Sequence, residues 1–446
     1  MKYFPLRLFL CLSFVCSTPV FSKANEAQSY TRSDLVARAL SNNPLIHAAE
    51  AELEVFEAKL RYTERWWVPR LRVDSLITAL PGEWGNALEG GTDFGEWGPY
   101  SRTDATIGMP LYTFGKVSSL KEMAKAGVDI SKAKQDLARR TVESYVDQAF
   151  TAVLLGRDLL ELLEEGKAKV ATARDRLETL DEEDSEDFEP TDMQRLKLVE
   201  VELDERRLEA EAVLDQGLIA LRLLARLEPS DPVHTAQRLK DYVPLLADSE
   251  EAAVVLARAH RVEFKALQAA LRASQSAVSY AKASLLPNLI LGGFVRYAFA
   301  PSADDQASPF AYDPFNIFTG GAGLMLNWNL DVPKSMMLID EAGARKRQLL
   351  AQQRALYGKT EMDVRKVWKR VERADTMRKL ARKGTKAARG WLVVKSDSFE
   401  AGLATFGDVA KAVRAYYERR IKEISASYEI ALARVKLAET LGLNFQ

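Results

Sequence analysis

The chain has 446 residues, 47% apolar and 28% charged, with 62 Lys+Arg against 63 Asp+Glu, three His and two Cys. That balance is globular rather than disordered and excludes a generic polyanion binder. Cys11 and Cys16 lie in the first 22 residues, and His47, His234 and His260 are scattered, which excludes a disulfide framework and a Cys/His metal cluster.

Lys2 and Arg7 flank the apolar run Leu8–Val15, followed by Pro19 and Val20-Phe21-Ser22, a pattern that predicts a signal peptide over residues 1–22. Its cleavage leaves an exported, thiol-free chain beginning near Lys23. No later window holds the ~20 uninterrupted apolar residues of a spanning helix, so membrane insertion would have to use strands.

The rest of the chain is self-similar at an offset of 218 residues: Tyr62 falls on Tyr280, Pro69 on Pro287, Gln135 on Gln353 and Val146 on Val364. The spacing predicts a first structural repeat over 23–228, a linker at 229–247 in an equatorial region, and a second repeat over 248–446. Each repeat reads as helix, strand, Gly-rich loop, strand, very long helix, turn, helix.

In the first repeat, helical periodicity covers 33–68, 116–183 and 191–228; Val142, Val146, Ala149, Val153, Leu160 and Leu163 form one such stripe. At 1.5 Å per residue the middle helix spans roughly 100 Å, and the two shorter helices together match its length. Pro69 stops the first helix. Residues 70–80 and 102–112 then alternate apolar and polar, with Leu71, Val73 and Ile77 opposite Arg70, Arg72 and Asp74. The second repeat gives helices at 248–286, 334–398 and 404–443, and strands at 288–299 and 320–331. The connections 81–99 and 300–319 read as surface loops opposite the helices.

Strands of this length and alternation fit a membrane β-barrel or a soluble half-buried sheet. Four of them cannot close a barrel, so the chain must oligomerise; two copies would give eight strands and three would give twelve. The Gly-Gly pairs at 90–91 and 320–321 do not stand between a strand and a helix as phosphate cradles do. No catalytic, cofactor-binding or metal-binding residues are predicted, and the expectation is a protein that is not an enzyme and binds no nucleic acid.

The segment Phe399-Glu-Ala-Gly402-Leu403-Ala-Thr405-Phe-Gly-Asp408-Val409, with Leu437-Ala-Glu-Thr-Leu441-Gly442 closing its helix, resembles the end of the TolC-like outer-membrane efflux proteins. Asn43-Pro44, Ala283-Ser-Leu-Leu-Pro287-Asn-Leu and Pro110-Leu-Tyr-Thr-Phe-Gly115-Lys116 support it in order and spacing. The resemblance implies an α+β membrane protein, internally duplicated, with long helical hairpins forming a periplasmic α-barrel. Its four strands per chain would contribute to a trimeric 12-strand outer-membrane β-barrel.

The implied function is the outer-membrane exit duct of a tripartite efflux or type I secretion system. It would conduct passively, with no cofactor, and its partners would be two further copies, outer-membrane lipid, a periplasmic adaptor and an inner-membrane pump. The competing reading is an exported coiled-coil tether or envelope spacer.

The resemblance, together with the positive φ that a helix-to-helix turn asks of glycine, places an adaptor-docking tip at Gly402, Leu403 and Thr405. The alternative there is a plain helix cap with Leu403 packed on the next helix. Two departures accompany it. Ala404 and Lys411 stand where the family pattern has a base and a second carboxylate. The first tip reads Asp181-Glu-Glu-Asp-Ser-Glu-Asp-Phe-Glu-Pro-Thr-Asp192, eight acids without a base, in place of a Gly-Leu turn. Three copies of that run and of Asp408 would crowd carboxylates at the periplasmic mouth, which makes Asp192 and Asp408 the candidate periplasmic gate and 181–189 an acidic skirt. An outward-facing solvated turn is the other reading of the same residues.

Overall fold

The computed structural model describes residues 30–85, 89–183, 189–228, 233, 247–306, 310 and 312–443. The signal segment, the middle of the acidic run and nearly all of the predicted linker lie outside them.

Twelve elements are described, in an order that occurs twice. First come α1 (Arg32–Asn42), α2 (Pro44–Glu64), β1 (Arg70–Gly85), β2 (Gly90–Tyr112), α3 (Lys116–Glu182) and α4 (Pro190–Ala225). Then come α5 (Glu250–His260), α6 (Val262–Ala283), β3 (Asn288–Phe299), β4 (Ile317–Asn327), α7 (Val332–Glu400) and α8 (Phe406–Leu441).

The long helices α3 and α7 are 67 and 69 residues, close to the sequence expectation. Both opening helices, however, are broken. Asn43 is extended, its side chain accepts from the Leu45 amide, and Pro44, which has no amide to donate, starts α2. The second break, at an extended Arg261, has no Pro or Gly to announce it. It is held by the Arg261 guanidinium, which reaches Glu263 at 2.7 Å and Asp363 at 3.6 Å.

The strands form one antiparallel sheet in the order β1–β2–β3–β4. Register puts Leu71, Ile107 and Gly293 in one row, and Val73, Ala105 and Val295 in the next, which makes a continuous apolar face. The opposite face pairs Asp74 with Asp104 and Asp104 with Arg296, whose Nε donates to Asp104 Oδ1 at 2.5 Å. Two strand expectations are corrected. Residues 81–99 are not a simple loop: past a register shift at Pro81/Gly82 the hairpin continues, and Gly85 pairs with Gly90. At the other end β4 stops at Asn327, because Trp328 leaves the ladder and donates its indole N–H to the Leu285 carbonyl at 3.0 Å.

The helices make one layer. Near the sheet its order is α2–α3–α6–α7, and away from the sheet it is α4–α3–α8–α7, so each long helix is flanked by two short ones stacked end to end. The stacking is tight where α8 meets α6: Gly442, at φ +70°, lies against the His260 carbonyl. Extra helices cover the middle, α1 on α3 and α4, and α5 on α7 and α8. Leu35, Val142, Val146, Phe150, Val153 and Leu221 are buried in the first of these cores. Arg32 fastens α1 to α3 through Asp147, Nε to Oδ1 at 2.6 Å and Nη2 to Oδ2 at 2.9 Å. Trp368 and Leu437 are buried in the second core.

At the mid-height of the α3/α4 hairpin the two backbones approach through Gly156 and Gly217. A Cβ on Gly217 would stand 2.8 Å from Val153 Cγ2 and 3.0 Å from its backbone nitrogen. Gly217→Val is therefore expected to lower stability by about 1–3 kcal/mol through overpacking, read as a fall in the unfolding midpoint of the detergent-solubilised protein. An unchanged midpoint would show that the hairpin is not packed this closely.

Candidate functional site at the helix tips

The ends of α3 and α4 farthest from the sheet lie beside those of α7 and α8. Val170 and Leu177 of α3, Met193 and Leu196 of α4, Phe399 of α7 and Phe406 of α8 share one apolar cluster, with the two phenylalanine rings 6.4 Å apart and edge-on. Packing across four helices fixes these helix ends relative to one another.

In the second turn the last carbonyls of α7 are taken up in sequence: Ala401 N–H donates to Asp397, Gly402 to Phe399 and Leu403 to Ser398, the last at 2.7 Å. Gly402 adopts φ +69°, the left-handed conformation that closes a helix without a Cβ penalty. Thr405 then caps α8, its hydroxyl accepting from the Asp408 amide at 3.3 Å. The closure leaves Leu403 83% exposed and outside the apolar cluster of the tip. Gly402 and Thr405 are exposed beside it.

The two candidate gate carboxylates are both provided with cations. Asp192 opens α4 from a buried position, its side chain 3% exposed, and accepts from Arg195 Nη1 at 2.7 Å. The same guanidinium lies 3.7 Å from Glu189, and a Cβ on Gly407 would stand 2.8 Å from its Nη1. Arg195 thus pairs with Glu189 and Asp192 while lying beside the start of α8. Asp408 is half-exposed between Lys395 at 3.4 Å and Lys411 at 3.7 Å. Arg195 and Lys411 follow their carboxylates by three residues, a spacing visible in sequence. Lys395 reaches Asp408 only because the turn folds α7 back on α8, so no local pattern reveals it. Residues 184–188 of the acidic run lie outside the described residues.

At the opposite end of the helices, Lys116 ties the two strand-to-helix passages together. Its Nζ donates to the Leu286 carbonyl at 2.6 Å and to Asn288 Oδ1 at 3.0 Å, and burial lowers its pKa from the ordinary lysine value. No helix among the described residues is long and apolar enough to cross a membrane, and no group of three metal-ligating side chains occurs among them.

The sequence model described as outer membrane efflux protein matches residues 35–179 and 253–443. The chain belongs to the outer membrane efflux protein family. No curated protein sequence matches it. Among solved structures, CusC is similar at TM-score 0.75 and 17% identity, over 93% of this chain and 92% of that one; its crystal structures concern folding and transmembrane channel formation. The open-state outer membrane channel MtrE of Neisseria gonorrhoeae superposes at TM-score 0.73 and 16% identity, over 93% and 89%. The outer membrane protein VceC of Vibrio cholerae gives 0.71 and 16%, over 93% and 97%.

As in other outer membrane efflux proteins, the four strands of each chain are one third of a trimeric twelve-strand barrel in the outer membrane, and the helices continue that barrel into the periplasm. The apolar sheet face is the lipid face, and the row containing Asp74, Asp104 and Arg296 faces the lumen. The family and its structural neighbours are channels rather than enzymes, which sets the tether reading aside.

Proposed function

We propose that this protein is the exit duct of a tripartite efflux or type I secretion assembly, passively conducting substrate delivered by a periplasmic adaptor and an inner-membrane pump. The observation that carries the reading is the direct passage of the sheet into the long helices: β2 runs into α3 at Tyr112–Lys116, and β4 into α7 at Asn327–Val332. Such a chain, closed with its copies, encloses one lumen from the membrane to the tips. A duct of this kind has no chemistry to perform; its partners supply the energy.

Gly402, Leu403 and Thr405 are the adaptor-docking turn in this reading. An exposed leucine held on a rigid glycine turn is suited to enter an apolar pocket on a partner. Asp192 and Asp408 are the gate, held shut by their pairs with Arg195 and Lys395. Loss of the protein is expected to raise cellular accumulation of the exported compounds, and re-expression of the full chain to reverse it. Unchanged accumulation across a broad panel of toxic compounds and secreted proteins would contradict the assignment.

A further inference from the structure

Where α6 begins and α8 ends, these two helices and the middles of α3 and α7 enclose a cavity of about 770 Å³. It opens on the face of the helical layer turned away from α5. On α7, Val364, Trp368 and Val371 are buried with α5 in the second core, and the cavity residues Lys366, Arg370 and Arg373 each follow one of them by two positions. Two residues of helix are roughly 200° of rotation.

Seven bases line the cavity against three carboxylates. All three carboxylates are already engaged: Glu263 and Asp363 by Arg261, and Glu439 by Lys436 at 2.6 Å. Lys369 and Arg370 have partners beyond the cavity, Glu250 and Glu429. Among the described residues, Arg140, Lys366 and Arg373 have no ion pair, so three cations are left uncompensated around one concave surface.

The fold holds these charges in place. Arg140 Nη1 donates to the His260 carbonyl at 3.3 Å, and a Cβ on Gly442 would stand 2.8 Å from it, so the missing side chain leaves room for the guanidinium. Lys366, Arg370 and Arg373 are spaced by four and three residues, a like-charge row that destabilises a helix unless something counters it. Arg261 spends Nε and Nη2 on Glu263, and its buried Nη1 has no hydrogen-bond acceptor. Beside it α6 opens without a side-chain cap, which adds the positive end of a 22-residue helix.

Guanidinium and ammonium groups converging in this way match the oxygens of phosphate. The volume falls within the range of about 300–1,000 Å³ usual for small-molecule sites and leaves room for more than one phosphoryl group. Lipid headgroups do not reach it, because α6 separates it from the sheet by roughly 33 Å. We propose that this cavity binds a soluble di- or polyphosphate group through Arg140, Lys366 and Arg373. Its placement rests on the duct reading: α1 and α5 of three copies are six helices roughly 10–12 Å wide, which would fill most of the bore of a twelve-helix ring. They therefore lie outside, and the cavity opens into the lumen, where it holds an anionic solute in the wall of the passage.

The test titrates the full-length protein, purified as trimers in detergent, with pyrophosphate by calorimetry at fixed ionic strength. One site per chain is expected, and Lys366→Gln with Arg373→Gln is expected to weaken it at least tenfold. Lys383→Gln with Lys386→Gln removes the same charge from α7 outside the cavity and is expected to change the affinity less than twofold. Folded trimers that bind no pyrophosphate, or lose it equally in both variants, overturn the site. In planar bilayers pyrophosphate is expected to reduce the current through wild-type channels and not through Lys366→Gln/Arg373→Gln channels. Binding without any effect on the current overturns the lumenal placement. Wild-type protein that never conducts overturns the duct reading, and the calorimetry still decides the site.

Discussion

Leu403→Asp is expected to leave trimers in the outer membrane at wild-type amount while reducing export at least tenfold. The side chain is 83% exposed and lies outside the tip's apolar cluster, so the substitution removes little folding contact. Docking in an apolar pocket would have to bury the new carboxylate, at a cost of at least about 2 kcal/mol per site, and the site is repeated three times. Leu403→Met, of similar volume, is expected to export normally. Export at full rate from Leu403→Asp trimers would remove this turn from the docking surface. Gly402→Val acts differently, because a β-branched residue at φ +69° strains the turn itself and would lower tip stability with or without an adaptor.

The second large effect is at the gate. Arg195→Ala leaves Asp192 buried without its cation, at a cost of about 1–3 kcal/mol for an unsatisfied buried polar group, and it also empties the space that the guanidinium fills beside Gly407. Reconstituted channels carrying it are expected to dwell open longer than wild type. If the uncompensated charge is the cause, Asp192→Asn in the Arg195→Ala background returns the dwell times part of the way. Closure unchanged in Arg195→Ala would separate this pair from gating. The carboxylates have a second readout. Divalent cations added from the periplasmic side are expected to block wild-type channels, and Asp192→Asn with Asp408→Asn to weaken that block more than Glu182→Gln with Glu183→Gln. An unchanged block would take Asp192 and Asp408 out of the conduction path.

Much of the architecture was legible because it rests on periodicity. Heptad stripes place α3 and α7 within a few residues of their observed ends, and alternation next to Pro69 and Pro287 places β1 and β3. Elements set by long-range contacts were not legible. The break at Arg261 is made by ion pairs to Glu263 and Asp363, and no local residue type signals it. The extension of the first hairpin to Gly85 and Gly90 runs through proline and glycine, residues that read as loop. At the tips, Gly402 announces its turn through its backbone freedom. The burial of Asp192 comes from four helices converging, and its sequence neighbourhood, crowded with acids, suggests the reverse. Of the cations at the gate carboxylates, Arg195 and Lys411 stand three residues after their partners and were legible, whereas Lys395 reaches Asp408 only through the fold.

The central claim is that this chain forms a continuous trimeric duct across the outer membrane. Its most direct test is the conductance of purified trimers in a planar lipid bilayer. The account predicts discrete, long-lived conductance steps from protein extracted with detergent. A rod-like protein that stays soluble without detergent and never conducts would contradict it.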